Sequence, residues 1–197
     1  MKVRLVRLMA AAAGVASIAM APAAAAAAPR HATTGHATTG HATTTGSGGF
    51  NGPVVTHPGA PPRDYPAGEV CAFPMHVDFP VNEVVQSTWT DDAGAPVFAI
   101  ATGALTVKVT NVATGRSVTR SADGTGNYSF PDPTSSVLTG SEFAAFLHRT
   151  DSPPGRALIF GKHDFAAVRV ATVDGQTTRT VLYQKGHPED LCRTLSH

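Results

Sequence analysis

The chain has 197 residues, with 15 basic and 14 acidic side chains and a formal net charge of +1. A balance this even leaves no basic surface to grip a phosphate backbone, so nucleic acid is excluded as an expected partner. Two cysteines permit one intramolecular disulfide, and they are too few for a structural zinc site, which needs four ligands.

The first element reads as an export signal. Lys2, Arg4 and Arg7 form a short positive stretch, Leu8 to Met20 is apolar, and Ala21 to Ala28 offers several A-x-A cleavage choices. The apolar run is too short for a membrane span of roughly 20 residues, and no later segment is long and apolar enough to cross. A lipid anchor needs a cysteine just after the apolar run, and the first is Cys71. Cleavage after residue 28 removes three basic residues and leaves 12 against 14 acidic, a net charge of −2.

An exported chain lives where disulfides persist, so Cys71 and Cys192 are expected to pair. Two free thiols or a bridge between chains are the alternatives. Closing a loop of about 120 residues is worth roughly 4–5 kcal/mol in a chain-entropy treatment.

Residues 29–66 read as a disordered spacer. His31 to Gly46 is HATTG-HATTG-HATTTG, and Gly, Pro and isolated apolar residues follow to Arg63. Such sequence buries too little apolar surface to offset its ordering entropy. His31, His36 and His41 fall every five residues and are weak metal-ligand candidates; the plain reading is a soluble Thr/Gly spacer. Its threonines are also candidate sites for O-linked sugars.

Residues 67–197, about 130 residues, are enough for one domain with one core. Period-two alternation dominates. Cys71 to Phe79 places Cys71, Phe73, Met75, Val77 and Phe79 on one face, with Pro74 marking an edge or a bulge. Strands follow at Val84 to Thr90, Val97 to Thr102 and Ala104 to Thr110. A turn at Asn111 to Gly115 leads back through Arg116 to Ser121 as a hairpin. Asp123-Gly124 is a turn signal, and Ser141 to Arg149 fits a helix or a strand. Ala157 to Phe160 is a further strand, and Asp174-Gly175 joins Val168–Val173 to Thr177–Tyr183 as the clearest hairpin.

The expected fold class is therefore all-β, mainly antiparallel, with at most one short helix. About eight strands would form a small barrel, with a sandwich as the alternative.

The run Gly103 to Gly115 (GALTVKVTNVATG), Cys71-Ala-Phe-Pro near the domain start and Glu189-Asp-Leu-Cys192 near its end resemble small secreted actinobacterial β-domain proteins of unknown function. The resemblance covers most of residues 68–195. It implies a compact β-domain outside the cytoplasm and brings no catalytic residues with it.

Chemistry is sparse. His76 and Asp78 lie two apart on a strand and so share its polar face, where they are a candidate for acid–base work or ligation. His163-Asp164 sits at an interruption between apolar stretches, where a bulge would aim it into a cleft. Each has the plain alternative of an exposed polar face or loop. No G-x-S-x-G, H-E-x-x-H, P-loop or G-x-G-x-x-G is present. Asp123 to Asn127 reads as a flexible hairpin turn. Trp89, Tyr128 and Tyr183 are few and scattered, which argues against a carbohydrate platform.

The sequence thus points to a secreted, non-enzymatic β-domain without a cofactor, with a binding or structural role at the cell exterior; its partner is not specified, a cell-envelope component and a small molecule both being candidates. The rivals are a small-ligand carrier or barrel enzyme (isomerase- or cyclase-like) with an internal cavity, and a metal-handling protein using the histidine tail.

Overall fold

The computed structural model describes residues 49–197. The export segment, the pentapeptide repeat and His31, His36 and His41 lie outside the described residues. In chain order the strands are β1 (Asn51–Thr56), β2 (Arg63–Tyr65), β3 (Met75–Asn82), β4 (Val85–Thr90), β5 (Pro96–Thr102), β6 (Leu105–Asn111) and β7 (Ser117–Ser121). They continue as β8 (Gly126–Asp132), β9 (Ser135–Gly140), β10 (Ala144–Leu147), β11 (Arg156–Ile159), β12 (Phe165–Val173), β13 (Gln176–Lys185) and β14 (Glu189–Asp190). One four-residue helix, α1 (Leu191–Thr194), completes the described chain.

The strands form three antiparallel sheets, ordered β1-β4-β5-β8-β9-β12-β13, β2-β3-β6-β7 and β10-β11-β14. The all-β class and the single short helix are as the sequence implies. The strand number is larger than the expected eight, and no sheet closes on itself.

The smallest sheet sits between the other two. Ala157 and Ile159 of β11 enter one apolar cluster with Tyr65, Met75, Val77, Val107 and Val109 of the four-stranded sheet, and with Leu191 and Leu195 at the chain end. Leu158 and Phe160 point the other way, into a second cluster with Leu147, Ala166 and Val168. Continuous burial over Ala157–Phe160 explains why this run is apolar at every position: a strand covered on both faces has no wet side.

Polar ties lock this stack. Asp151, with its side chain fully buried, follows β10. It accepts hydrogen bonds from the His148 backbone at 2.5 Å and the Arg179 backbone at 2.7 Å, and pairs with the Arg179 guanidinium at 3.2 Å. Arg120 of β7 holds Glu189 of β14 through two nitrogens, at 2.6 and 2.8 Å. Cys71 and Cys192 are joined, with Cα atoms 5.2 Å apart and a sequence separation of 121.

Both expected hairpins form. Thr106–Thr110 pair with Ser121–Ser117. Val173 opposes Gln176 across Asp174-Gly175, both with positive φ, as a tight turn matched to strand twist requires.

Other expectations change. Within the supposed spacer, β1 pairs with β4 and β2 pairs with β3, so folded sequence begins before residue 67. Strand β1 is exposed along its whole length; ladder hydrogen bonds place it without side-chain burial. Pro74 precedes β3 instead of lying in it, and the β3 irregularity falls between Asp78 and Val81, across Pro80. Asp123-Gly124 is not a hairpin turn. It lies where the chain leaves the four-stranded sheet for β8, with Asp123 accepting from the Leu105 backbone at 2.7 Å and Gly124 pressed on the Ser141 backbone too closely for a Cβ. The ambiguous Ser141–Arg149 stretch contributes strand β10.

The disulfide ties the loop before β3 to α1 and therefore staples the first cluster. A Cys71→Ser/Cys192→Ser double variant is expected to lose about 2–5 kcal/mol of stability. Thermal unfolding followed by circular dichroism checks this; a melting temperature equal to the parent's contradicts the staple.

Candidate functional site

His76 and Asp78 occupy the outward face of the four-stranded sheet, because Met75 and Val77 between and beside them point into the core. Asp78 Oδ1 lies 3.1 Å from His76 Nε2. Strand pairing adds a third member: Asp64 opposes His76, with Oδ1 at 2.6 Å from Nδ1. The hydrogen bond that His76 donates to the Asp64 carboxylate, reinforced by Asp78, raises the imidazole pKa above its ordinary 6.5. These carboxylates meet opposite ring nitrogens and do not converge on a common point. Among the described residues no group of three or more His, Cys, Asp or Glu is arranged to hold a metal. An open depression of about 290 Å³ adjoins Asp78, walled by Ala60, Pro62, Phe79 and Pro80, with Lys108 as its cation.

His163 and Asp164 lie apart from this site, in the turn between β11 and β12. Asp164 accepts the backbone N–H of Gly161 at 2.7 Å and that of His187 at 2.8 Å. It clasps two loops together. His163 is exposed, and no interaction among the described residues joins this pair to His76 or Asp78.

A half-buried polar cluster has no local signature in the sequence. His148 Nδ1 lies 3.2 Å from Glu69 Oε1, and its ring meets Tyr65 edge-on with centroids 5.6 Å apart. Burial depresses the His148 pKa, the Arg179 and Arg63 charges add to that, and Asp151 and Glu69 oppose it. Burial likewise pushes the Tyr65 hydroxyl up. Glu69, His148 and Arg179 are far apart in sequence; the Ser152–Thr180 bridge and the Asp151–Arg179 contacts bring β13 beside the loop after β10. No serine or cysteine nucleophile joins these groups, and their geometry fits a structural tie between sheets.

A second surface emerges from strand register. In antiparallel pairs, opposed residues share a face. On the seven-stranded sheet, Gln86, Thr88, Ala99, Ala101, Ala166 and Val168 occupy the buried face. The opposite face carries one row running from Val55 through Ser87, Ile100, Asn127, Thr139 and Ala167 to Tyr183. A parallel row runs from Trp89 through Phe98, Ser129, Val137 and Arg169 to Thr180.

Two aromatic pairs stand on this outward face. Trp89 and Phe98 have centroids 5.7 Å apart, and Phe165 and Tyr183 6.2 Å. Phe98 is 37% exposed, Phe165 42% and Tyr183 54%. Arg169 is paired with Asp132 at 3.1 Å. The Ser135 and Thr134 hydroxyls, aided by Arg169, hold the Asp132 carboxyl at about 2, so the pair is neutral overall. Residues remote in sequence are thus gathered on one sheet face.

Comparison with protein-family models, curated proteins and solved structures finds no match to this chain. Its functional reading rests on its own residues.

The two histidines are expected to titrate on opposite sides of 6.5, His76 above and His148 below. His76 raises stability below pH 6.5, and that contribution fades as pH rises through its folded pKa. For His148 the stabilising neutral form is present above pH 6.5, and its contribution is lost as pH falls through its folded pKa. Imidazole NMR titration checks the order; a His148 midpoint above that of His76 would contradict the assigned environments.

Proposed function

We propose that this chain is an exported binding domain whose working surface is the outward face of the seven-stranded sheet. One observation carries the reading. Five of the exposed large apolar residues, Val55, Phe98, Phe165, Val173 and Tyr183, fall on that single face by register. Gathered apolar exposure of this kind marks interaction surfaces, whereas isolated exposed residues do not.

The scaffold suits an extracytoplasmic address. It has one disulfide, and no helix among the described residues is long and apolar enough to cross a membrane. The stack of three sheets supports a layered sandwich over a barrel. Binding is favoured over catalysis because the polar groups flagged in the sequence are engaged structurally: Asp164 clasps two loops, and His76 is flanked on both ring nitrogens.

The depression beside Asp78 and Lys108 supports a second reading, a small-ligand carrier. The readings part in one experiment. Full-length protein is mixed with insoluble actinobacterial cell-wall material and sedimented. Saturable co-sedimentation is expected, with Phe98→Ala/Tyr183→Ala left in the supernatant and His76→Ala/Lys108→Ala unaffected. Parent protein that stays in the supernatant, or a loss specific to the His76/Lys108 variant, would overturn the sheet-face reading.

A further inference from the structure

The chemistry of the outward face narrows the ligand, on the premise that this face is the binding surface. We infer that it binds a neutral polysaccharide laid across the strands, stacked on the Trp89–Phe98 and Phe165–Tyr183 pairs.

The first argument is spacing. Phe98 is on β5 and Phe165 on β12, with β8 and β9 between them. Three inter-strand intervals, with a four-residue offset along β12 because Phe98 is level with Arg169, separate the pairs diagonally by roughly 19 Å, more than one small molecule spans. A chain of sugar rings covers that distance while touching both ends.

The second argument is the floor between the aromatic pairs. Of the four β8 and β9 side chains in the two rows, Asn127, Ser129 and Thr139 are small and polar, and Val137 is the one apolar member. A protein-binding patch would carry its densest apolar packing at its centre. Here the centre is mainly polar and the aromatics flank it. Pyranose rings present C–H faces to aromatics and hydroxyl edges to polar groups, and this alternation matches that arrangement.

The third argument is charge. Arg169 is neutralised by Asp132, and Lys185, which opposes Phe165 at a corner of the face beyond the two rows, is the one cation on this face without an ion pair among the described residues. An anionic polymer or an anionic bilayer needs more positive charge than that. A neutral polyhydroxylated ligand needs none.

The chain's single tryptophan is Trp89, so its intrinsic fluorescence reports directly on occupancy of this face. Full-length protein is titrated with laminarin, glucomannan and dextran, and with heparin and phosphatidylglycerol vesicles as anionic probes. At least one neutral polysaccharide is expected to shift Trp89 emission and to retard the protein in an affinity gel. Phe98→Ala/Tyr183→Ala is expected to weaken that binding by about tenfold or more. Both positions are over a third exposed, and circular dichroism of the variant verifies its fold. Failure of all three neutral polysaccharides, or binding of heparin or vesicles in their place, overturns the inference. If cell-wall co-sedimentation persists while every neutral polysaccharide fails, the ligand class falls and the binding face stands. If both fail, the binding face falls too.

Discussion

The burial of β11 on both faces is the constraint on which the rest of the fold depends. Four consecutive apolar residues, Ala157 to Phe160, feed alternately into two clusters, and its partner β10 does the same less deeply, with Ala144 and Phe146 on one side and Ala145 and Leu147 on the other. Each large side chain buried there contributes roughly 1.5–3 kcal/mol. Neither outer sheet has another apolar partner of comparable size among the described residues. Remove the central sheet and each would expose its inner face. The polar contacts serve this arrangement: the Asp151–Arg179 pair is dry and multiply hydrogen-bonded, and a buried pair of that kind fixes geometry more than it adds stability.

The same arrangement produces the outward aromatic face. Because the central sheet occupies one side of the seven-stranded sheet near β12, every alternate residue of β4, β5, β8, β9, β12 and β13 is directed to the other side. Nothing among the described residues covers that side as a third layer. The aromatic pairs therefore stand on a rigid sheet whose inner face is fixed by packing, and a ligand meeting them would cost little ordering of the protein. Edge strand β1, exposed throughout, extends the face without helping to hold it.

What could be read in the sequence, and what could not, follows from how locally each feature is encoded. The hairpins at Asn111–Gly115 and Asp174-Gly175 announce themselves through turn residues between alternating runs. Strand β1 has no buried side to create alternation. Strands β8 and β9 carry Gly, Ser, Thr and a proline at position 131, which mask their period. Strand β10 is too short for Phe143, Phe146 and Leu147 to decide between periods, and its pairing with β11 decides instead.

The site follows the same logic. His76 and Asp78 are neighbours by strand geometry, so their spacing alone encodes the contact. Asp64 reaches His76 only through pairing, twelve residues away. Trp89, Phe98, Phe165 and Tyr183 are scattered along the chain, and only the register of six strands places them on one face. At His163-Asp164 the aspartate's oxygens accept from two backbone donors, Gly161 and His187, a tie to a loop 23 residues away that the local pattern does not encode.

Native-state hydrogen exchange, read residue by residue, tests the central role of β11 most directly. If β11 couples the two clusters, the amides of Ala157 to Phe160 exchange only through global unfolding, in the slowest set with those of β6 and β12, while β1 exchanges far faster. Exchange of Ala157 to Phe160 through local opening, with β6 and β12 still protected, would contradict this account and mean that the outer sheets hold together without their shared centre.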